Sequence, residues 1–139
     1  MPGYNALRLR NFMMETASPR ARILMVDDHM DTTIAMQRLL GRLGYDVRIA
    51  DCVKSALAAA ADAPFDILIS DLGLPDGSGL DLMRELVLRG GGQSVKGIAL
   101  SGFSRDEDIR QSLDAGFTEH LSKPINIQRL QTLIERMIA

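Results

Sequence analysis

Tryptophan is absent from this chain, and aromatic residues make up only 4% of its 139 residues. Leu, Ile, Val, Ala and Met must therefore fill any core. Cysteine is nearly absent too. The single Cys52 excludes an internal disulfide framework and a zinc site built from several cysteines. That usage is compatible with a reducing, cytoplasmic setting, and Cys52 itself reads as a small packing residue. No apolar stretch approaches the length of a membrane span. The beginning of the chain lacks the unbroken apolar segment of a secretory signal, because Arg8 and Arg10 interrupt it. Net charge is only −2, which gives no general reason to expect nucleic-acid or anionic-membrane binding. There is no Gly-x-x-x-x-Gly-Lys-[Ser/Thr] loop for nucleotide phosphates, no His/Cys cluster for a transition metal and no histidine–serine pairing of protease type.

What is present is ample core material, 46% hydrophobic residues, in a length that suits one domain. Residues 1–20 read differently from the rest. Pro2, Gly3, Ser18 and Pro19 bracket Leu7, Leu9, Phe12, Met13 and Met14 among arginines. A flexible leader or linker is the expectation there, with an amphipathic helix docking on a partner or a second copy as the alternative. After residue 20 the balance is acidic, 13 Lys/Arg against 17 Asp/Glu.

The remainder, 21–139, reads as strand–helix units. Arg22 to Val26 is the first strand. A helix follows, with Thr33, Met36, Leu40 and Leu43 at helical spacing and Gly44 as its stop. Tyr45 to Ile49 alternates, as a strand near a sheet edge does. Asp51 is expected to cap an Ala-rich helix over about 52–62. Phe65-Asp66-Ile67-Leu68-Ile69-Ser70-Asp71 is a nearly unbroken apolar run of strand length, ending in a carboxylate and a Pro/Gly loop. Ser78 to Asp81 and Ser104 to Glu107 form two capping boxes. The first opens a helix that Gly90-Gly91-Gly92 closes, the second a helix over 105–115 that Gly116 stops. Val95 to Leu100 and Phe117 to Ser122 are the last two strands. Asn126 caps a final helix with Ile127, Leu130, Ile134 and Met137 on one face.

Five strands alternating with helices predict an α/β fold, a doubly wound parallel sheet with right-handed crossovers. All strand C-termini then share one edge, where open α/β sheets place their chemistry. Four of those ends carry Asp27-Asp28, Asp71, Ser101 and Lys123. Three carboxylates together repel unless cations join them. Lys123 supplies one charge, and oxygen ligands suit Mg²⁺ better than zinc for the rest. A carboxylate beside Mg²⁺, a lysine and a hydroxyl meets the needs of phosphoryl transfer, with the carboxylate as nucleophile.

With these residues in place the chain resembles the response-regulator receiver domains of two-component signalling. The matching pieces are Asp27-Asp28, Asp71, Ser101 and Lys123-Pro124, and the likeness covers about 21–139. The resemblance implies a flavodoxin-like (βα)5 sheet of strand order 2-1-3-4-5. It implies that Asp71 accepts a phosphoryl group from a sensor histidine kinase or phosphotransfer protein. Mg²⁺ would be held by Asp28, Asp71 and the carbonyl of Gly73, with Asp27 mainly acting through water. Lys123 would pair with the phosphoryl oxygens and Ser101 would turn toward them. Lys123-Pro124 would be a cis peptide, and conventional turnover of a substrate is not expected. His120 stands where the family usually has Tyr or Phe, so the switch residue here is an imidazole that could respond to pH. Gly73 contributes no side chain beside the acceptor, which leaves room for water. The loop after Asp71, with Glu119 to Pro124, is similar to receivers of hybrid sensor kinases. The surface over 105–139 is the expected contact for a downstream protein. Direct nucleic-acid binding and membrane contact are not expected, and a homodimer is left open. His29 reads as a surface histidine at a helix start. Phe103 reads equally well as lining the site or as a packed loop residue. The rival readings are a binding module of the same fold that works without phosphorylation, and a Mg²⁺-dependent phosphatase or nucleotide-binding protein.

Overall fold

The structure is a computed structural model and describes residues 18–102 and 105–139. Most of the expected leader, and Phe103 and Ser104 with the capping box expected there, lie outside the described residues. The strands are β1 (Arg22–Val26), β2 (Asp46–Ala50), β3 (Ile67–Asp71), β4 (Gly97–Ser101) and β5 (Glu119–Ser122). They pair in parallel in the order β2-β1-β3-β4-β5, the order the resemblance implied. The helices are α1 (Met30–Arg42), α2 (Val53–Asp62), α3 (Gly79–Arg89), α4 (Asp106–Ala115) and α5 (Ile127–Ile138).

The apolar runs of β1 and β3 are split between two cores, because successive side chains point to opposite faces. On one face Ile23, Met25, Ile67 and Ile69 pack with Leu40 of α1 and Leu130, Leu133 and Ile134 of α5. On the other, Leu24, Val26 and Leu68 pack with Ala56 of α2 and Leu82, Met83 and Leu86 of α3. All five residues of β3 are buried. A side chain such as Leu68, fully enclosed, contributes about 2–3 kcal/mol by leaving water. Polar chemistry can therefore sit only beyond the strand ends.

Several boundaries move for identifiable reasons. Tyr45 stays out of β2 because its amide donates to the Leu40 carbonyl, closing α1, with Gly44 at φ 97° as the expected stop. Phe117 stays out of β5 because its amide donates to the Ser112 carbonyl at the end of α4. β4 starts at Gly97, where pairing with Leu68 begins, rather than at Val95.

Asp51 is not the cap of α2. Cys52 is: its Sγ accepts from the Ser55 amide at 3.4 Å, and Ser55 Oγ accepts from the Cys52 amide at 3.2 Å. Asp51 lies one residue too early and accepts instead from Ser55 Oγ. The carboxylate that meets the α2 N-terminus comes from Asp76, which accepts from the amides of Val53 (2.7 Å) and Lys54 (3.0 Å). These amide bonds, first that of Lys54, hold the Asp76 carboxyl below its usual pKa. Asp76 belongs to a hairpin, Gly73–Leu74 against Gly77–Ser78, that the sequence reading took for a plain loop.

At α3 the cap is Ser78, whose Oγ accepts from the Leu80 amide at 3.0 Å. The reciprocal half of the box does not form. Asp81, one methylene shorter than the usual Glu, pairs with Arg84 at 3.3 Å. Helix α4 begins at Asp106, with Arg105 at the N-cap position, where its side chain does not cap the helix amides. Asn126 caps α5 as expected, accepting from the Arg129 amide at 3.0 Å.

Candidate functional site

Four strand ends deliver the polar residues to one edge of the sheet. Asp27 follows β1 and is 2% exposed; Asp71 ends β3 at 7% and Ser101 ends β4 at 8%. Lys123 follows β5, joined to Pro124 by a cis peptide bond. Its Nζ reaches Asp71 Oδ2 at 2.9 Å and Asp27 Oδ2 at 3.0 Å. One ammonium thus ties two buried carboxylates that come from different strands. Burial pulls the Lys123 pKa down, but the bonds to Asp71 and Asp27 outweigh it and hold it above its usual value. Burial likewise works to raise Asp27, yet the His29 amide and Lys123 prevail and hold it low.

The free oxygens face outward. Asp71 Oδ1 accepts only a long bond, 3.2 Å, from the Gly73 amide. A cavity of about 540 Å³ opens over it, lined among others by Gly73, Ser101, Lys123 and Leu80. A side chain at Gly73 would meet no atom within 4 Å, so the space beside the acceptor is open, as expected from the missing side chain. Gly79 is the opposite case. A Cβ there would collide with the Asp71 carbonyl oxygen, so only glycine lets α3 start this close to the end of β3.

Behind the cavity, Ser101 Oγ and His120 Nε2 lie 2.9 Å apart. The residue expected to switch is therefore in hydrogen-bond contact with the hydroxyl expected to turn toward the phosphoryl group. Burial holds the His120 imidazole below its usual pKa, against the pull of Asp108.

The structure gathers Asp27, Asp28, Asp71, Gly73, Ser101 and Lys123 at one edge, as the strand ends required. It also brings in groups that the sequence reading left out. His29 is a surface residue at the start of α1, as expected, but its Nδ1 lies 2.9 Å from Asp27 Oδ1 and 3.3 Å from Asp28 Oδ1. Those carboxylates, Asp27 first, raise its pKa. Its position directly after the acid pair was the available signal. Asp108 and Gln111, three residues apart on α4, reach the cavity rim, and a charged helix face gave no reason to single them out.

The ligand atoms of Asp27, Asp28, His29 and Asp71 all lie within 4.8 Å of one another. An octahedral ion with bonds of about 2.1 Å sets its ligands about 3–4 Å apart, so the donors fit a divalent cation. The donor set, mostly carboxylate oxygen with open positions, suits Mg²⁺.

Residues 23–135 match the family model described as the response regulator receiver domain. The chain belongs to that family. It is 40% identical over 115 residues to the response regulator protein PilR of Pseudomonas aeruginosa, a match covering 83% of this chain and 25% of PilR. It is 36% identical over 121 residues to the transcriptional regulatory protein KdpE of Mycobacterium tuberculosis, covering 84% of this chain and 52% of KdpE. The chain thus spans only about a quarter to a half of these regulators. Among solved structures, the chemotaxis protein CheY4 of Vibrio cholerae superposes with a TM-score of 0.79 at 27% identity, covering 84% of this chain and 98% of CheY4. Receivers of this family are signalling modules that pair with histidine kinases or phosphotransfer proteins and bind Mg²⁺ at an acidic pocket. No described helix of this receiver is long and apolar enough to cross a membrane.

Proposed function

We propose that this receiver is a Mg²⁺-dependent phospho-acceptor switch with Asp71 as the acceptor. The observation that carries the proposal is the Lys123 ammonium bridging Asp71 Oδ2 and Asp27 Oδ2 while Asp71 Oδ1 faces an open cavity. An oxygen of Asp71 attacks the phosphorus of a donor phosphohistidine. The new O–P bond gives an acyl phosphate as the P–N bond breaks, and the imidazole leaves with the electron pair and takes a proton. Asp28, Asp71 and the Gly73 carbonyl would hold the cation, with Asp27 acting mainly through water. When bound, Mg²⁺ neutralises charge on the phosphoryl oxygens. Lys123 swings its ammonium from Asp71 Oδ2 to a phosphoryl oxygen. Ser101 Oγ leaves His120 Nε2 to donate to another, and His120 follows. That two-step shift carries the phosphorylated state to the surface over 105–139, where a downstream protein reads it. The acidic balance after residue 20 gives no general reason to expect the receiver itself to bind nucleic acid.

Intact-protein mass after incubation with Mg²⁺ and acetyl phosphate tests the proposal. One labile phosphoryl adduct should form, and it should be lost in Asp71→Asn and in metal-free protein. A folded, Mg²⁺-loaded protein that takes no adduct would favour the module that binds without phosphorylation.

A further inference from the structure

We propose that His29 is a nitrogen ligand of the cation site and shifts its preference from Mg²⁺ toward Mn²⁺ and its borderline neighbours. The inference rests on the metal-binding part of the reading above. Three observations carry it. First, Nδ1 lies 2.9 Å from Asp27 Oδ1 and 3.3 Å from Asp28 Oδ1. The distance to Asp28 is close to the spacing between adjacent ligands of one octahedral ion, about 3 Å for bonds of about 2.1 Å, while the contact to Asp27 is a hydrogen bond that Nδ1 gives up, with its proton, when it turns its lone pair to the ion. Second, the Asp27, Asp28, His29 and Asp71 donors all fall within 4.8 Å of one another, so Nδ1 belongs to the same cluster of donors as the carboxylates. Third, the imidazole is exposed, and its hydrogen bond to Asp27 Oδ1 lies within the site itself. Its side chain is 68% exposed. It stands at the N-cap of α1 without a side-chain cap bond. The bonds that hold the helix start are made by its backbone, from the His29 amide to Asp27 Oδ1 and from Thr33 to the His29 carbonyl.

The chemistry follows from donor type. Mg²⁺ prefers oxygen ligands and waters, and gains little from an imidazole. Mn²⁺, Co²⁺ and Zn²⁺ bind imidazole nitrogen progressively better. A site of carboxylates plus one nitrogen therefore still accepts Mg²⁺ but favours the later metals. Asp27 is already occupied on both oxygens, by His29 on Oδ1 and by Lys123 on Oδ2. That leaves the coordination to Asp28, Asp71, the Gly73 carbonyl and His29.

The test measures Mn²⁺ and Mg²⁺ binding to the metal-free protein, following free aqueous Mn²⁺ by its paramagnetic resonance with Mg²⁺ as competitor. In His29→Ala the Mn²⁺ affinity should fall about tenfold, as for loss of a metal-site group, and Mg²⁺ affinity should stay within about twofold. Substituting Co²⁺ should give a hyperfine-shifted imidazole proton that disappears in His29→Ala although Co²⁺ still binds. An unchanged Mn²⁺-to-Mg²⁺ ratio in His29→Ala, or bound Co²⁺ with no shifted imidazole proton, would overturn this inference and leave the cation site standing. Failure of the unaltered protein to bind either metal would overturn the metal site and this inference together.

Discussion

The two edges of the same sheet handle charge in opposite ways. At the N-terminal edge every strand-borne arginine meets its own acid. Arg22 pairs with Asp66 at 3.4 Å and Arg48 with Asp62 at 2.9 Å, all with well-exposed side chains. A hollow of about 290 Å³ there is lined by Arg22, Asp46, Arg48 and Phe65. At the C-terminal edge, the buried Asp27 and Asp71 share the single ammonium of Lys123, with Asp28 beside them against the exposed His29 imidazole. Paired, solvated charges at the first edge contribute little and ask for nothing more. The unmatched, half-desolvated carboxylates at the second are costly unless a further cation arrives. The imbalance, rather than the number of charges, separates the working edge from the supporting one.

Removing the lysine should break this contrast most. Lys123→Met should lower the rate of phosphorylation by acetyl phosphate about 100-fold, the usual cost of losing one charge-stabilising group, measured from adduct mass against time. A retained rate would mean that the ammonium only ties the carboxylates together.

Acid should come next. The pKa of Asp27 is held below its ordinary value of 3.8, so its contribution to stability is present above that value and is lost as pH falls through the lower, folded one. Lys123 is raised above 10.5, so its contribution is complete below that pH and is lost as pH rises through the higher, folded value. Urea unfolding followed from pH 5 downward should show the acid loss flattened in Asp27→Asn. A variant with an unchanged acid limb would assign that loss to other carboxylates.

The smallest effect should come from the paired edge. Arg48→Ala should change stability by no more than about 0.5 kcal/mol, and the rate of phosphorylation not at all. A larger change in either would show that the two edges are not as separate as the pairing suggests.

The strand ends were legible because buried parallel strands write themselves as apolar runs, and the residue after each run has nowhere to go but the sheet edge. Asp71 and Lys123 were found in this way although 52 positions separate them. Helix starts were harder to read. Asp51 and Cys52 both precede the same helix, and a register difference of one residue decides which side chain reaches the free amides. The Asp76 carboxylate meets the α2 N-terminus from 23 positions away, and no local pattern encodes that contact. His29 was legible as a surface residue but not as a neighbour of Asp27 Oδ1, because that contact depends on how the chain bends as β1 gives way to α1. The Ser101–His120 contact needed the pairing of β4 with β5, which sets Ser101 beside Ser122 and Ala99 beside His120.

The central claim is that the unmatched edge takes the phosphoryl group, and at Asp71. Borohydride reduction of the phosphorylated protein, followed by peptide mapping, tests it most directly, since only an acyl phosphate is reduced to the alcohol. Conversion of residue 71 alone to homoserine is the predicted result. Reduction at another carboxylate, or at none while the phosphoryl mass is present, would contradict it.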